Sequence, residues 1–370
     1  MSGSEPSPTP RAGVLSIPAY IAGEATAEGV DRVIRLASNE SPLGASPKAR
    51  AAYEVTASQL ERYPDASASA LREAIGRKHD LSANEIICGC GSEELLHLAA
   101  RAFAGPGDQV VVSQYGFIAH RIAALAAGAS VVVVPERDYR VDFAAMSAAL
   151  NSRTKIVYVA NPANPTGTVA PSAAIRELHA SLPGSVLLVL DAAYAEFVDG
   201  AGGYECGLAL VREGARNVFV TRTFSKMHGL AGLRIGWGAG SAEVVDPIGR
   251  IRPAFNANSA AQAAAQAALQ DDEFVRRSRG TNDSGLRQLH EGLASVGIST
   301  TASVCNFVLA RFPGGPGQAH AAYVALKKRG IILRPVSAYG LPDCLRISVG
   351  LPQDNAMLLD ALRAFMSEAG

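Results

Sequence analysis

The stretch that decides the fold is VLLVLDAAYAEF, residues 186–197. Five apolar residues run straight into Asp191 with no polar alternation, the pattern of a strand buried on both faces of a parallel sheet. In open α/β sheets ligands gather outside the carboxyl ends of such strands. A carboxylate at that point either caps the next segment or answers a buried cation, because a buried charge needs a partner. Tyr194 follows three residues later and can offer its phenol to the same ligand.

The same pattern repeats outward from this stretch. EIICGC (85–90), QVVVS (109–113), SVVVVP (130–135), KIVYVANP (155–162) and NVFVTRTF (217–224) read as buried strands. SEELLHLAARAF (92–103) and AAIRELHASL (173–182) carry apolar residues at helical spacing. Strands alternating with helices imply a mostly parallel sheet with helices on both faces. After RIRPAFNANS (250–259) the pattern changes. A helix from Ala260 to Leu269, helices near 283–295 and 318–329, and short strands in NFVLARF (306–312), GIILRP (330–335) and CLRISVG (344–350) read as a smaller α+β domain. The expected fold class is therefore α/β: a large domain with a mostly parallel central sheet flanked by helices, plus a smaller α+β domain.

Composition narrows the function. At 370 residues the chain is long enough for a large core, and a hydrophobic content of 48% with 18% charged residues suits a soluble globular protein. Lys plus Arg and Asp plus Glu are both 34, so the overall charge recruits neither nucleic acid nor an anionic membrane. The start, MSGSEPSPTPR, has neither a basic stretch nor an apolar segment; it reads as a disordered tail without a secretory signal, and a cytoplasmic location is expected. The longest apolar run, Ala123 to Val134, is broken by Gly128 and Ser130 and is too short for a membrane span. The five cysteines include CGC at 88–90, which has neither zinc-knuckle nor redox spacing, and they read as reduced packing residues. The histidines at 79, 97, 179, 290 and 320 lack metal-ligand spacing, so no metal is expected.

Candidate ligand contacts concentrate where the strands end. Gly91 and Ser92 turn EIICG into a helix whose first N–H groups could receive a phosphate, although Ser92 could equally be an N-cap. ANPANPTG after the strand at 155–160 forms a turn that either aims Asn164 at a ligand oxygen or has asparagines that satisfy their own backbone. NVFVTRTFSK ends in Thr223, Ser225 and Lys226, with Arg234 eight residues after the lysine. Two hydroxyls and a guanidinium make a phosphate cup, since Arg offers a planar fork of donors, and this leaves Lys226 free for another task. Together these groups ask for a ligand with a phosphate, a basic aromatic nitrogen, a phenolate-like oxygen and an electrophile for an amine. Pyridoxal 5'-phosphate has all four.

On these residues the chain resembles the fold-type I pyridoxal-phosphate aminotransferases, and within them the histidinol-phosphate aminotransferase family. The likeness runs from IPAYIAGE (17–24) and RLASNESPLGASPKA (35–49) through RYPD (62–65), ANPANPTGT, VLDAAY and RTFSKMHGLAGLRIGW to FNANS, NFVLARF, GIILRP and CLRISVGLPQDN. The resemblance implies that Lys226 carries the cofactor as a Schiff base and moves the proton. It implies that Asp191 keeps the pyridine nitrogen protonated, that Asn164 and Tyr194 meet the ring oxygen, and that Phe117 stacks on the ring. Ser92, Glu93 through its backbone, Thr223, Ser225 and Arg234 would hold the phosphate. Tyr20, Asn39, Arg334 and Arg346 would bind substrate, with Arg346 as the carboxylate clamp and Arg334 as the second cation for a substrate phosphate.

Tyr63 would reach the cofactor phosphate of the neighbouring subunit, which implies a homodimer with shared active sites. Implied domains are an N-terminal arm with part of the small domain (1–44), a large cofactor-binding domain (45–250) and a small C-terminal domain (251–370). The implied reaction transfers the amino group of L-histidinol phosphate to 2-oxoglutarate. Relatives with the same motifs act on Phe and Tyr; a similar scaffold serves a threonine-phosphate decarboxylase, and a non-catalytic cofactor binder is the remaining alternative. Three positions depart from the family pattern: Ala192 stands in place of Glu, His120 in place of an aromatic such as Tyr, and His228 in place of Tyr or Phe. These read as drift, and His228 as a packing or solvent-facing residue.

Overall fold

Runs of β-branched residues build a seven-stranded sheet, and one glycine-rich strand completes it. The structure is a computed structural model describing residues 8–11, 13–18, 26, 29–30, 32–198, 200 and 203–368. In chain order the strands are β1 (Ile34–Arg35), β2 (Ile86–Gly89), β3 (Gln109–Ser113), β4 (Ser130–Val134), β5 (Thr154–Ala160), β6 (Leu187–Asp191), β7 (Val218–Thr223), β8 (Gly236–Gly240), β9 (Ser299–Thr300), β10 (Phe307–Arg311), β11 (Ile331–Ile332), β12 (Arg334–Val336) and β13 (Leu341–Ser348). The large sheet has the order β2-β8-β7-β6-β5-β3-β4. Only β8 pairs antiparallel with its neighbours, β2 and β7, so every other strand of the sheet ends at the same edge.

β8, Gly-Trp-Gly-Ala-Gly, is absent from the sequence reading because glycine is a poor strand former. The packing explains the glycines. A Cβ on Gly238 would lie 2.3 Å from the Phe219 ring, and one on Gly236 would lie 2.4 Å from the Ser92 amide nitrogen. The strand is bare so that the helix Ser92–Phe103 and the Phe219 ring can press against it.

The smaller sheet, β12-β13-β10-β9, is antiparallel. β1 pairs in parallel with β11, which ties the N-terminal segment to the smaller domain. The helix expected at 283–295 begins eleven residues earlier and spans Asp272–Ala294. Its first half holds Ser278, Gly280 and Asn282, weak helix formers that hid it, and the Asp271 side chain caps it by accepting from Phe274 N. The C-terminal helix Pro352–Glu368 was not read from the sequence either. Helix Ser259–Leu269 buries Ala261, Ala264, Ala265 and Ala268 in the core shared with β2, β6 and β7, although it follows residue 250 in sequence.

Candidate active site

The site is assembled at the shared edge of the parallel strands. β6 ends in Asp191, which is 5% exposed. Its Oδ1 accepts from Ala193 N at 3.3 Å, and its Oδ2 lies 3.4 Å from His120 Nε2. His120 stacks on Tyr158 at 4.8 Å and meets Phe117 edge-on at 5.9 Å. The Tyr158 hydroxyl donates to Leu96 O, so that ring is fixed in turn. His120 is thus a site residue that the sequence reading set aside. The available signal was its position one helical turn after Phe117, which puts both on one face.

The turn after β5 separates its two asparagines by task. Asn161 satisfies its own loop: its Oδ1 accepts from Ala170 N at 2.9 Å and its Nδ2 donates to Ala170 O at 3.2 Å. Asn164 is aimed elsewhere, with its Oδ1 accepting from Arg346 Nη1 at 2.6 Å. Tyr194 Oη accepts from Asn39 Nδ2 at 2.8 Å, and Asn39 is fixed by two hydrogen bonds with Ser348 Oγ. Burial pushes the Tyr194 phenol well above its ordinary range, which keeps it protonated.

After β7, Thr223 Oγ1 and Ser225 Oγ lie 3.0 Å apart. Lys226 Nζ donates to Ser38 O at 3.0 Å. Burial, reinforced by Arg346 and Arg234 and opposed by Glu40, lowers this amine to about 8. A lysine so placed is neutral often enough near neutral pH to act as nucleophile and base.

At the helix start, Ser92 is the first helical residue and not the N-cap. Gly91 takes the cap position at φ 83° and supplies no side-chain acceptor. A Cβ on Gly91 would lie 2.6 Å from Arg234 Nη2, so only glycine lets the guanidinium lie against the helix start. Uncapped first-turn amides, a guanidinium and two hydroxyls form a donor set for a dianionic phosphate. Asp191 suits a protonated ring nitrogen. The residues therefore fit pyridoxal phosphate.

The substrate side comes from the smaller sheet. Arg334 and Arg346 are register partners on β12 and β13. Arg346 is 7% exposed, donates through Nη2 to Ala37 O at 2.8 Å, and lies 5.4 Å over the Phe307 ring. Its Nε has no hydrogen-bond partner, and among the described residues no acidic side chain reaches ion-pair distance. Phe307, missed in the sequence reading, also meets Tyr194 edge-on at 5.3 Å. Glu93 is exposed beside the helix start. Tyr63 is 82% exposed and stacks on Phe255 at 4.5 Å. Tyr20 and the tail at 1–7 lie outside the described residues.

His228 is 4% exposed and packs against Phe224, so it faces the interior and not solvent. Burial lowers it to about 3. Among the described residues no cluster of His, Cys, Asp or Glu could hold a metal ion, and no helix is long and apolar enough to cross a membrane.

A parallel sheet with a lysine, an aspartate and a phosphate cradle at its carboxyl edge defines a pyridoxal-phosphate enzyme. The family model for aminotransferase class I and II matches residues 31–362, and the chain belongs to that family. It is a pyridoxal-phosphate-dependent aminotransferase. It is 49% identical to the histidinol-phosphate aminotransferase of Maricaulis maris over 358 residues, covering 96% of this chain and 98% of that one. It is 48% identical over 355 residues to the enzyme of the same name from Rhodospirillum centenum, again covering 96% and 98%. Among solved structures, the histidinol-phosphate aminotransferase of Sinorhizobium meliloti in complex with pyridoxal-5'-phosphate superposes with a TM-score of 0.85 at 29% identity, covering 91% of each chain.

Proposed function

We propose that the protein transfers the amino group of L-histidinol phosphate to 2-oxoglutarate, forming imidazole-acetol phosphate and L-glutamate, as a step of histidine biosynthesis. The near full-length similarity to the two bacterial enzymes of that name supports this reading. The single observation that carries it is the arginine pair Arg334 and Arg346, facing each other across β12 and β13 with Arg346 bonded to Asn164. Two adjacent cations suit a pocket that must take a substrate phosphate in one half-reaction and a dicarboxylate in the other.

When bound, pyridoxal phosphate supplies a carbonyl for amines and a ring that accepts electron density from the substrate carbon. Lys226 Nζ holds the cofactor and then carries the proton. Asp191 would keep the ring nitrogen protonated, with His120 as its neighbour. Asn164 and Tyr194 would hold the ring oxygen, and Phe117 would stack on the ring. Ser92, Glu93 by its backbone, Thr223, Ser225 and Arg234 hold the phosphate. Arg346 trades its contacts with Asn164 and Ala37 for a substrate carboxylate, and Asn39 and Tyr20 complete the pocket.

A homodimer completes the site. Tyr63, Phe255 and the aliphatic residues Val55 and Leu60, which are 71% and 80% exposed, give the 55–63 segment an apolar face suited to a second copy. There Tyr63 reaches the partner's cofactor phosphate. The enzyme works in the cytoplasm on small molecules, without nucleic acid. The chain divides into an N-terminal arm with part of the smaller domain (1–44), a large cofactor-binding domain (45–250) and a smaller C-terminal domain (251–370), with the alanines of Ser259–Leu269 packed into the core of the large sheet.

The test is steady-state turnover of the cofactor-loaded protein with 2-oxoglutarate and either L-histidinol phosphate or L-phenylalanine. Glutamate forms far faster from histidinol phosphate. A preference for phenylalanine contradicts the reading.

A further inference from the structure

Beside Lys226 lies a small, partly open pocket bounded by five parts of the chain. Lys226 and Met227 line it from the turn after β7, Ser278 and Asn282 from the helix Asp272–Ala294, Asn306 from the loop before β10, Phe197 from the segment after β6, and residues 41–43 from the segment after β1. The volume open to the centre of a water-sized sphere is about 10 Å³. That is the room one water needs, about 10 to 15 Å³ by the same measure.

The polar lining is buried and incomplete. Ser278, Asn282 and Asn306 are 8%, 4% and 2% exposed. Each has one side-chain oxygen without a hydrogen-bond partner: Ser278 Oγ, Asn282 Oδ1 and Asn306 Oδ1. The amide orientations are fixed by other bonds, since Asn282 Nδ2 donates to Cys305 O at 3.1 Å and Asn306 Nδ2 donates to Asn39 O at 2.9 Å. Buried polar atoms of this kind are ordinarily satisfied, and three around one space point to a shared partner. Ser278 and Asn282 are one helical turn apart, so their side chains share a face.

We propose that this cavity binds a single water, held by Ser278, Asn282 and Asn306, which ties the smaller domain to the segment carrying Lys226 and fixes where the lysine amine rests. The hydrogen-bond accounting closes. Both amide oxygens can only accept, so they take the two water protons, and the Ser278 hydroxyl donates to one lone pair. The second lone pair is open to the lysine whose side chain lines the same space. A cation is disfavoured, because Lys226 adjoins the cavity and no carboxylate lines it. Ser278, Asn282 and Asn306 are then positioning residues. Their effect on the lysine rests on the function proposed above, whereas the water does not.

The first test is a crystal structure of the cofactor-free and cofactor-loaded protein at a resolution that shows ordered water. Density at about 2.7 to 3.2 Å from all three oxygens is expected in both. An empty cavity, or one filled by the lysine amine, overturns the proposal. The second test is a pH titration of the visible absorbance of the loaded protein. Ser278→Ala shifts the midpoint by about half a pH unit, a threefold change in proton affinity, while Ser278→Thr, which keeps the hydroxyl, restores it. A midpoint unmoved in Ser278→Ala overturns the positioning role. A loaded protein without a visible cofactor band would instead count against the function, and the crystallographic result would still decide the water.

Discussion

Two buried charges of opposite sign both act on Tyr194, and they are held in different ways. Asp191 ends a central strand of the large sheet and has a titratable neighbour, His120, at 3.4 Å. Arg346 lies within the edge pair of the smaller sheet and has only neutral partners, Asn164 Oδ1 and Ala37 O. The carboxylate is preset to keep one resident cation. The guanidinium is set to release weak partners and accept anions that come and go, in line with a substrate site that two different molecules must share.

The largest expected effect comes from removing Lys226, the residue that would hold the cofactor. Lys226→Ala leaves the fold intact and lowers transamination by about 10⁴-fold or more, measured as glutamate formation in the purified variant. Asp191→Asn comes next. It preserves shape but not charge, and should lower kcat by about 10²- to 10³-fold while the protein still binds the cofactor, as followed by its absorbance.

Arg346→Lys sharpens the other half. A lysine keeps the charge but loses the planar fork, so kcat/KM for glutamate should fall by about 30-fold or more, about 2 kcal/mol, with the cofactor spectrum unchanged. An equal fall in cofactor binding would erase the distinction between the two charges.

The smallest effect concerns stability. His79 and His228 are both lowered to about 3, first by burial and then by the nearby Arg222. In the unfolded chain they titrate near about 6.5, so the unfolded state binds more protons between these values. Their contribution is full above about pH 6.5 and is lost as pH falls toward 3. In His228→Phe the drop in Tm between pH 7 and pH 4 should be smaller by about 2 to 4 °C, measured by thermal unfolding. A His228→Phe curve parallel to that of the native protein would remove His228 from the acid response.

The same contrast explains what could be read from sequence. Asp191, Thr223 and Lys226 follow strands whose apolar runs announce them, so the cofactor end was legible from local pattern. The link between Arg346 and Asn164 spans 182 residues and leaves no local trace. β8 was hidden because its glycines answer to Phe219 and Ser92, not to strand propensity. His120 was passed over because it lies on the helix Ile118–Ala127 while its partner Asp191 ends β6, and the first half of the helix Asp272–Ala294 because its buried Ser278 and Asn282 break the apolar periodicity.

The most direct test of the central claim is a single-turnover titration of the cofactor-loaded protein, following the visible absorbance as L-histidinol phosphate, L-glutamate and L-phenylalanine are added separately. The account predicts complete conversion by histidinol phosphate and by glutamate at concentrations where phenylalanine does little. Conversion by phenylalanine in preference to both, or by none of the three, would contradict it.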